Sequence, residues 1–393
     1  MDTRLGCLQP NLPKDCEARV LIRAAHEVIE AIHKTEIGQT DFWRYYPTKI
    51  YRQLCDNEDI MAAIVSKYLR MKLDCMEKTA LREGGGEEKE IHEASSSVTS
   101  CPSTPSTDSG TTSQTTLLTS TTRPLNLVPQ LTASAIASSS SSSSSSSLSS
   151  SSASLLDPVA AGSPSLAASE TILGQFFKGN SDASFGDILG TVLDLILAGI
   201  DTTAFSAGFV VYYLARSPDK QDKLRQEIRQ LFPDRKTPIT PDALTRMPYL
   251  KACVKEAMRL TPLAVGVGRV TTQDTVIRNY LIPAGVVVIT HNQVVSRFPQ
   301  YFDQPDTFIP ERWILSRQER ATKRPNPFLS LPFGFGPRSC PGRRVADMNT
   351  YVLLIQLLRN FRIEYHYEDI GVVTRLINIP DKAMQFRFND IHY

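Results

Sequence analysis

Apolar residues recur at helical spacing early in the chain, first as Val20, Ile22, Ala25, Val28, Ile29 and Ile32, then as Ile60, Ile64, Tyr68 and Met71. Both runs predict helices, and Pro47 breaks the chain between them. The pattern stops at about residue 84. Gly84-Gly85-Gly86 and an acidic patch lead into a Ser/Thr tract that includes Ser138 to Ser147 without interruption. Such a composition buries too little apolar surface to offset a chain entropy of about 1–2 kcal/mol per ordered residue. Residues 84–169 therefore read as a disordered insertion. A spliced-in or repeat-expanded linker is the preferred account of it, ahead of a phosphorylated interaction segment.

Globular patterning returns from about residue 170. Ser184 suits an N-cap and Asp187 a first-turn charge for a long helix running to Arg216 and stopped by Pro218. It is apolar on nearly every side (Leu193, Leu195, Ile196, Leu197, Ile200, Phe205, Phe209, Val210), so it should lie inside the protein. A second helix is expected over Pro248–Leu260. Alternation at Thr275–Ile282 and Val286–Ile289, joined by Pro283-Ala284-Gly285, predicts a β-hairpin. A further helix is expected from Pro341, and Met384, Phe386 and Phe388 alternate as in a strand. The chain thus divides into a helical segment (1–83), an insertion (84–169) and a core (170–393), mainly α with a minor β part.

Composition narrows the class. The chain has 393 residues and a net charge of +2, which points to neither nucleic acid nor an acidic partner. Its seven cysteines are an odd number with no C-x-x-C pair, which argues against a disulfide framework or a zinc site. The longest uncharged apolar stretch, Thr202 to Ala215, is shorter than the roughly 18–20 residues a bilayer needs. Met1-Asp2-Thr3-Arg4-Leu5-Gly6 has neither a secretory nor a transit-peptide pattern.

The most informative stretch is Phe333-Gly334-Phe335-Gly336-Pro337-Arg338-Ser339-Cys340-Pro341-Gly342. Two glycines before a cysteine let the backbone come close to something flat or bulky. Pro341 suits the first position of a helix, which sets the Cys340 sulfur beside unpaired N–H groups that stabilise a thiolate. A thiolate held this way is what a haem iron needs on its proximal side. The ten residues resemble the haem-binding loop of cytochromes P-450. That resemblance implies the cytochrome P-450 fold and a monooxygenase using haem b (iron protoporphyrin IX), with Cys340 as axial ligand. It also implies that Phe333 shields the sulfur and Arg338 pairs with a haem propionate.

Three further motifs extend the resemblance. Glu256 and Arg259 form an E-x-x-R pair, worth only about 0.2–0.5 kcal/mol on a solvated helix. With Arg312 from Phe308-Ile309-Pro310-Glu311-Arg312-Trp313, the family implies a buried network that locks the fold. Ala198-Gly199-Ile200-Asp201-Thr202-Thr203 sits mid-helix, where a glycine and a back-bonding hydroxyl favour a local distortion. The family implies that Thr202 organises water beside bound dioxygen and that Asp201 is the proton source, as general acid–base chemistry requires. The alternative is a helix kink with Asp201 paired to a basic residue. Arg269 would be a second propionate partner, through its guanidinium fork. Phe205, Val265, Val267 and Ile289 could line an apolar substrate pocket.

Lys251 and Lys255 lie four apart on one helix, an arrangement that costs a few tenths of a kcal/mol and suggests an external anionic partner. Arg343 and Arg344 add positive charge after the cysteine loop. With Asp2-Thr3-Arg4-Leu5-Gly6-Cys7-Leu8 and Phe42-Trp43-Arg44-Tyr45-Tyr46-Pro47-Thr48, these features resemble the mitochondrial branch of the family. That branch implies an adrenodoxin-like ferredoxin donor, O2, a lipophilic substrate (a steroid, ecdysteroid or secosteroid) and the matrix side of the inner membrane. The family has a large N-terminal part before the point matching Met1, so its targeting and membrane-contacting segments, first strands and a haem-contacting helix are expected to be missing here. A second class of function is therefore a catalytically incompetent shortened isoform whose Ser-rich segment serves interaction or regulation.

Overall fold

A computed structural model describes residues 13, 15–36, 45–83 (side chains to 75), 183–315 and 326–391. The Ser/Thr-rich zone, the opening Asp2–Leu8 and Phe42, Trp43 and Arg44 lie outside these residues. The chain forms two compact units; of the described residues, one holds only the stretch from Tyr68 to Glu83, and the other holds the rest.

The larger unit begins with α1 (Glu17–Glu36) and the first part of α2 (Lys49–Glu83). The helical spacing is explained by burial: Leu21, Ala25 and Val28 on α1 and Leu54, Met61 and Val65 on α2 are almost fully enclosed. Thr48, just after Pro47, accepts the Tyr51 N–H at 3.2 Å and caps α2. Between the two helices, the Asn57 amide donates to Glu27 at 3.0 Å and Lys67 meets Glu17 at 2.6 Å.

The long helix is α3 (Phe185–Ala215), with Ser184 as its N-cap and Asp187 completing a capping box. Hydrogen bonds from Ser184 hold the Asp187 carboxyl below the usual range. The expectation of burial along all of α3 is only half met. Phe209, Val210, Val211, Leu214 and Ala215 are core, whereas Leu193–Ile200 is half-buried to exposed and Leu195 is 43% exposed. Counting uncharged residues also understated the helix: by length and composition all of α3 could cross a membrane, although Asp194 and Asp201 interrupt it. Its buried C-terminal half ties it instead to the unit's core.

That core is built where α3 meets α4 (Pro218–Leu231), α6 (Pro248–Leu260) and α8 (Arg343–Asn360); along the chain the short α5 (Pro241–Thr245) lies between α4 and α6, and the one-turn α7 (Asn292–Val295) between α6 and α8. Leu214, Leu224, Ile228, Leu250, Leu354 and Leu358 are fully enclosed, each worth about 1.5–3 kcal/mol. α6 has Pro248 in its first turn and no side-chain cap of its own. Glu227 from α4 supplies one instead, accepting the Tyr249 and Leu250 N–H groups at 2.8 Å each.

Among the described residues the β part is four two-stranded antiparallel pairs. The hairpin expected across Pro283-Ala284-Gly285 does not form as drawn. β2 (Thr275–Ile277) pairs with β3 (Tyr280–Ile282) through Arg278 and Asn279, at φ 46° and 68°, a left-handed pair that suits a tight two-residue turn. β4 (Val287–Thr290) pairs instead with β1 (Val267–Val270), Arg269 opposite Val288. β5 (Phe361–Glu364) pairs with β8 (Arg387–Asp390), which takes in Phe388 of the tail alternation but begins after Met384 and Phe386, and β6 (Val372–Thr374) pairs with β7 (Asn378–Pro380).

Candidate active site

Glu256 and Arg259, both 0% exposed, face each other through two bonds, Arg259 Nε to Oε2 at 2.9 Å and Nη2 to Oε1 at 2.8 Å. Arg312 Nε adds a bond to Oε1 at 3.0 Å, the Trp313 indole N–H one to Oε2 at 2.9 Å, and the Ile309 N–H one to Oε1 at 3.1 Å. Arg259 spends its remaining donors on the carbonyls of Ser296, Pro305 and Thr307. A buried ion pair survives only when its lone pairs and protons are answered, and here they are. The three residues read from the motif meet as expected; Trp313 is a partner the motif did not reveal.

The cysteine loop has the opposite character. A one-turn 3₁₀ segment, Gly336–Arg338, precedes Ser339 and Cys340. Gly334 and Gly336 take φ +72° and +78°, values an L side chain rarely adopts, which accounts for both glycines. The Cys340 N–H donates to the Phe333 carbonyl at 2.9 Å, folding the loop back so that the thiol stays exposed. The following helix starts at Arg343 with Gly342 as N-cap, so Pro341 occupies a turn and not the first helical position. The thiol still lies within a few residues of that helix start. Arg269 on β1 bonds the Phe335 carbonyl at 3.0 Å and its neighbour Gly268 at 2.7 Å, fastening β1 to the loop. Arg338 is exposed on the 3₁₀ turn.

On α3 the Thr202 hydroxyl donates to the Ala198 carbonyl at 2.5 Å, the back-bond the sequence suggested. The helix nevertheless runs through residues 198–203 without a break. Asp201 is 7% exposed and meets His26 Nδ1 at 3.1 Å, a basic partner of the kind the alternative reading invoked, 175 positions away and not identified from the sequence. Of the pocket candidates, Val267 and Ile289 lie on the paired strands β1 and β4, with Ile289 62% exposed, while Phe205 and Val265 are half-buried.

Residues 160–384, more than half of the chain, match the Cytochrome P450 family. The chain belongs to the cytochrome P450 family. It is 43% identical over 205 residues to Cytochrome P450 302a1, mitochondrial, of Drosophila melanogaster, covering 51% of this chain and 41% of that protein. It is 30% identical over 392 residues to Probable cytochrome P450 49a1 of the same fly, 98% of this chain and 52% of the relative. Probable cytochrome P450 301a1, mitochondrial, is 28% identical over 391 residues, 100% and 55%. The chain thus spans about half the length of these relatives.

The prosthetic group of the P450 family is haem b. The donor set here fits it: one exposed thiol on a glycine-rich loop, and guanidinium groups from Arg269 and Arg338 on the elements that frame it. Among the described residues no three His, Cys, Asp or Glu side chains converge as a bare metal ion would need.

The four P450 residues read as a docking surface are placed unevenly. Lys251, Lys255 and Arg343 line one groove of about 680 Å³, together with Arg312, Trp313 and Phe333. Lys251 donates to the Thr245 carbonyl at 2.9 Å, and the Lys255 ammonium lies 4.0 Å from the Trp313 ring centre. Those contacts offset the repulsion between the lysines, so the spacing alone does not demand an outside anion. Arg343 covers the Phe333 ring at 5.5 Å and reaches Asp347 at 3.8 Å, while Arg344 is exposed.

Proposed function

We propose that the protein is a haem-thiolate monooxygenase that places one oxygen atom of O2 into a lipophilic substrate. The observation carrying this reading is the exposed Cys340 thiol, held on a loop that Arg269 fastens to β1. Bound there, haem b would supply oxygen activation. The chain's own groups have separate tasks. Cys340 would ligate the iron as a thiolate, which the start of α8 favours. Arg269 and Arg338 would hold the carboxylate arms. Thr202, its hydroxyl proton committed to Ala198, is left with an oxygen that accepts, which suits it to fixing a water. Asp201, enclosed beside it, would carry protons. Half-exposed apolar residues of α3 and β4 would form the substrate wall and exclude water.

The finer assignments belong to the same reading: a steroid, ecdysteroid or secosteroid as substrate, an acidic ferredoxin as electron donor, and the matrix side of the mitochondrial inner membrane as location. Mitochondrial names among the relatives and the groove bearing Lys251, Lys255 and Arg343 support them. The division into 1–83, an insertion at 84–169, and 170–393 is part of the same reading.

The deciding experiment is the ferrous carbon-monoxide difference spectrum of the purified protein. A Soret maximum at the red-shifted thiolate position is expected, and failure to incorporate haem would refute the reading for this chain. For the donor, charge reversal at Lys251 and Lys255 should raise the ferredoxin KM and flatten its salt dependence. Unchanged kinetics would remove that docking surface.

A further inference from the structure

Nothing in the proposed function uses His26, yet it is the partner that holds Asp201. The carboxylate of Asp201 is 11% exposed and its Oδ2 lies 3.1 Å from His26 Nδ1, whereas the His26 side chain is 52% exposed. One end of this pair is therefore in solvent and the other is enclosed on α3, next to Thr202. α1 places it there: Ala25 and Val28 on either side of His26 are fully buried, which fixes the height and rotation of the ring-bearing residue at the rim of the buried stripe. Among the described residues, His26 bonds Asp201 and interacts electrostatically with Glu30, one turn along α1. Lys34 at 2.8 Å and Arg375 at 4.0 Å hold Glu30, and the Lys34 bond lowers its pKa. Glu30 is thus engaged elsewhere, and Asp201 is the carboxylate bonded to the imidazole.

We propose that His26 is the positioning residue of Asp201 and the solvent-side member of a proton relay, a proposal that rests on the reading of Asp201 as the proton carrier. The neutral ring, its proton on Nδ1, takes a proton from solvent at Nε2; the imidazolium so formed gives its Nδ1 proton to Asp201 Oδ2, breaking N–H and forming O–H, and is left neutral with its proton on Nε2. Asp201 passes its proton inward to the Thr202 side, and the ring is reset when Nε2 returns a proton to solvent and Nδ1 takes one up. No electrons move, and each turn carries one proton from solvent to the enclosed carboxyl. Imidazole is the side chain that makes and loses such a bond near neutral pH, which a permanently charged lysine or arginine does not.

Three variants of the haem-loaded protein test this. His26→Gln keeps a hydrogen-bond donor but carries no proton, His26→Leu removes both functions, and Asp201→Asn removes the carrier itself. Both His26 variants should bind haem as the parent does, since the ring is half in solvent. Product formed per NADPH consumed should fall roughly tenfold in each, less than the ~10²–10⁴ of a directly acting acid or base. The solvent deuterium isotope effect should rise, and the pH dependence of turnover between about 5 and 8 should flatten. A readout without haem is nitrogen-edited NMR of labelled histidine in the chain: a His26 Nδ1–H signal shielded from exchange is expected, and it should vanish in Asp201→Ala. If Asp201→Asn is impaired while both His26 variants keep the parent isotope effect and pH profile, the relay falls and the reading of Asp201 stands. If Asp201→Asn is fully active, that reading falls and takes the relay with it. A His26 variant that loses haem would show a packing role and also overturn the relay.

Discussion

Glu256 and Cys340 belong to elements that line the same groove, and their surroundings are opposites. Five donors converge on the Glu256 carboxylate, and neither it nor Arg259 is exposed. Around Cys340 the backbone is equally well tied, through the Phe333 carbonyl and Arg269, but the thiol itself faces outward. A closed network has nothing left to offer a ligand, so its work is to hold α6 against the Pro310–Trp313 turn. The loop keeps its thiol outside any such network, which suits the ligand role proposed for Cys340. The contrast rests on burial and hydrogen bonding and not on any motif.

The largest effect should come from breaking the closed side. Glu256→Ala strands the fully buried Arg259 guanidinium and should cost about 3–5 kcal/mol in denaturant unfolding. Glu256→Leu combined with Arg259→Met should recover much of that loss, because the paired desolvation cost disappears with the pair. A single-variant loss below about 1 kcal/mol would mean that the network does not lock the fold.

A second carboxylate sharpens the point from the side of poor compensation. Glu58 on α2 is partly buried, and burial first, then Asp59 and Asp194, pushes its pKa up to about 7 from 4.5. Below pH 4.5 it is protonated in both folded and unfolded chains and costs nothing. As pH rises from 4.5 to 7 the unfolded chain ionises first, so stability is lost across that window and stays lost above it. Glu58→Gln should therefore gain about 1–2 kcal/mol at pH 8, after solvent screening, and nothing at pH 4. Thermal unfolding at the two pH values checks this, and an equal effect at both would contradict it.

The sequence revealed elements whose cause is local. The Ser184 cap, the helix end before Pro218 and the helix Pro248–Leu260 need only neighbouring residues, and each was found where expected; Asp187, read only as a first-turn charge, also closes a capping box. The network around Glu256 was legible because a family pattern names three of its members. Trp313 was missed as a partner, since an indole N–H carries no spacing signal. Strand pairing was misread because Val286–Ile289 alternates equally well for either partner, and the choice of Val267–Val270 is settled by tertiary contact. His26 had no signal at all. A histidine at the edge of an apolar stripe is ordinary, and only the packing of α1 against α3 brings it to Asp201.

The smallest stability effect should belong to the residue with the greatest chemical one. Cys340 is exposed, and the hydrogen bond that shapes its loop uses its backbone N–H, which any residue but proline supplies. Cys340→Ala should therefore leave the haem-free chain within about 0.5 kcal/mol of the parent, as surface substitutions away from special backbone geometry do. Gly336→Ala, only four residues upstream, should cost more, because its φ of +78° is strained for any side chain. In the haem-loaded protein the order should reverse: Cys340→Ala removes the thiolate and with it the red-shifted carbon-monoxide band, whereas Gly336→Ala keeps the ligand and weakens only its setting. Paired unfolding curves and difference spectra of the two variants make the comparison. If Cys340→Ala destabilises the haem-free chain more than Gly336→Ala does, the thiol is a packing group, and the open character assigned to this loop is wrong.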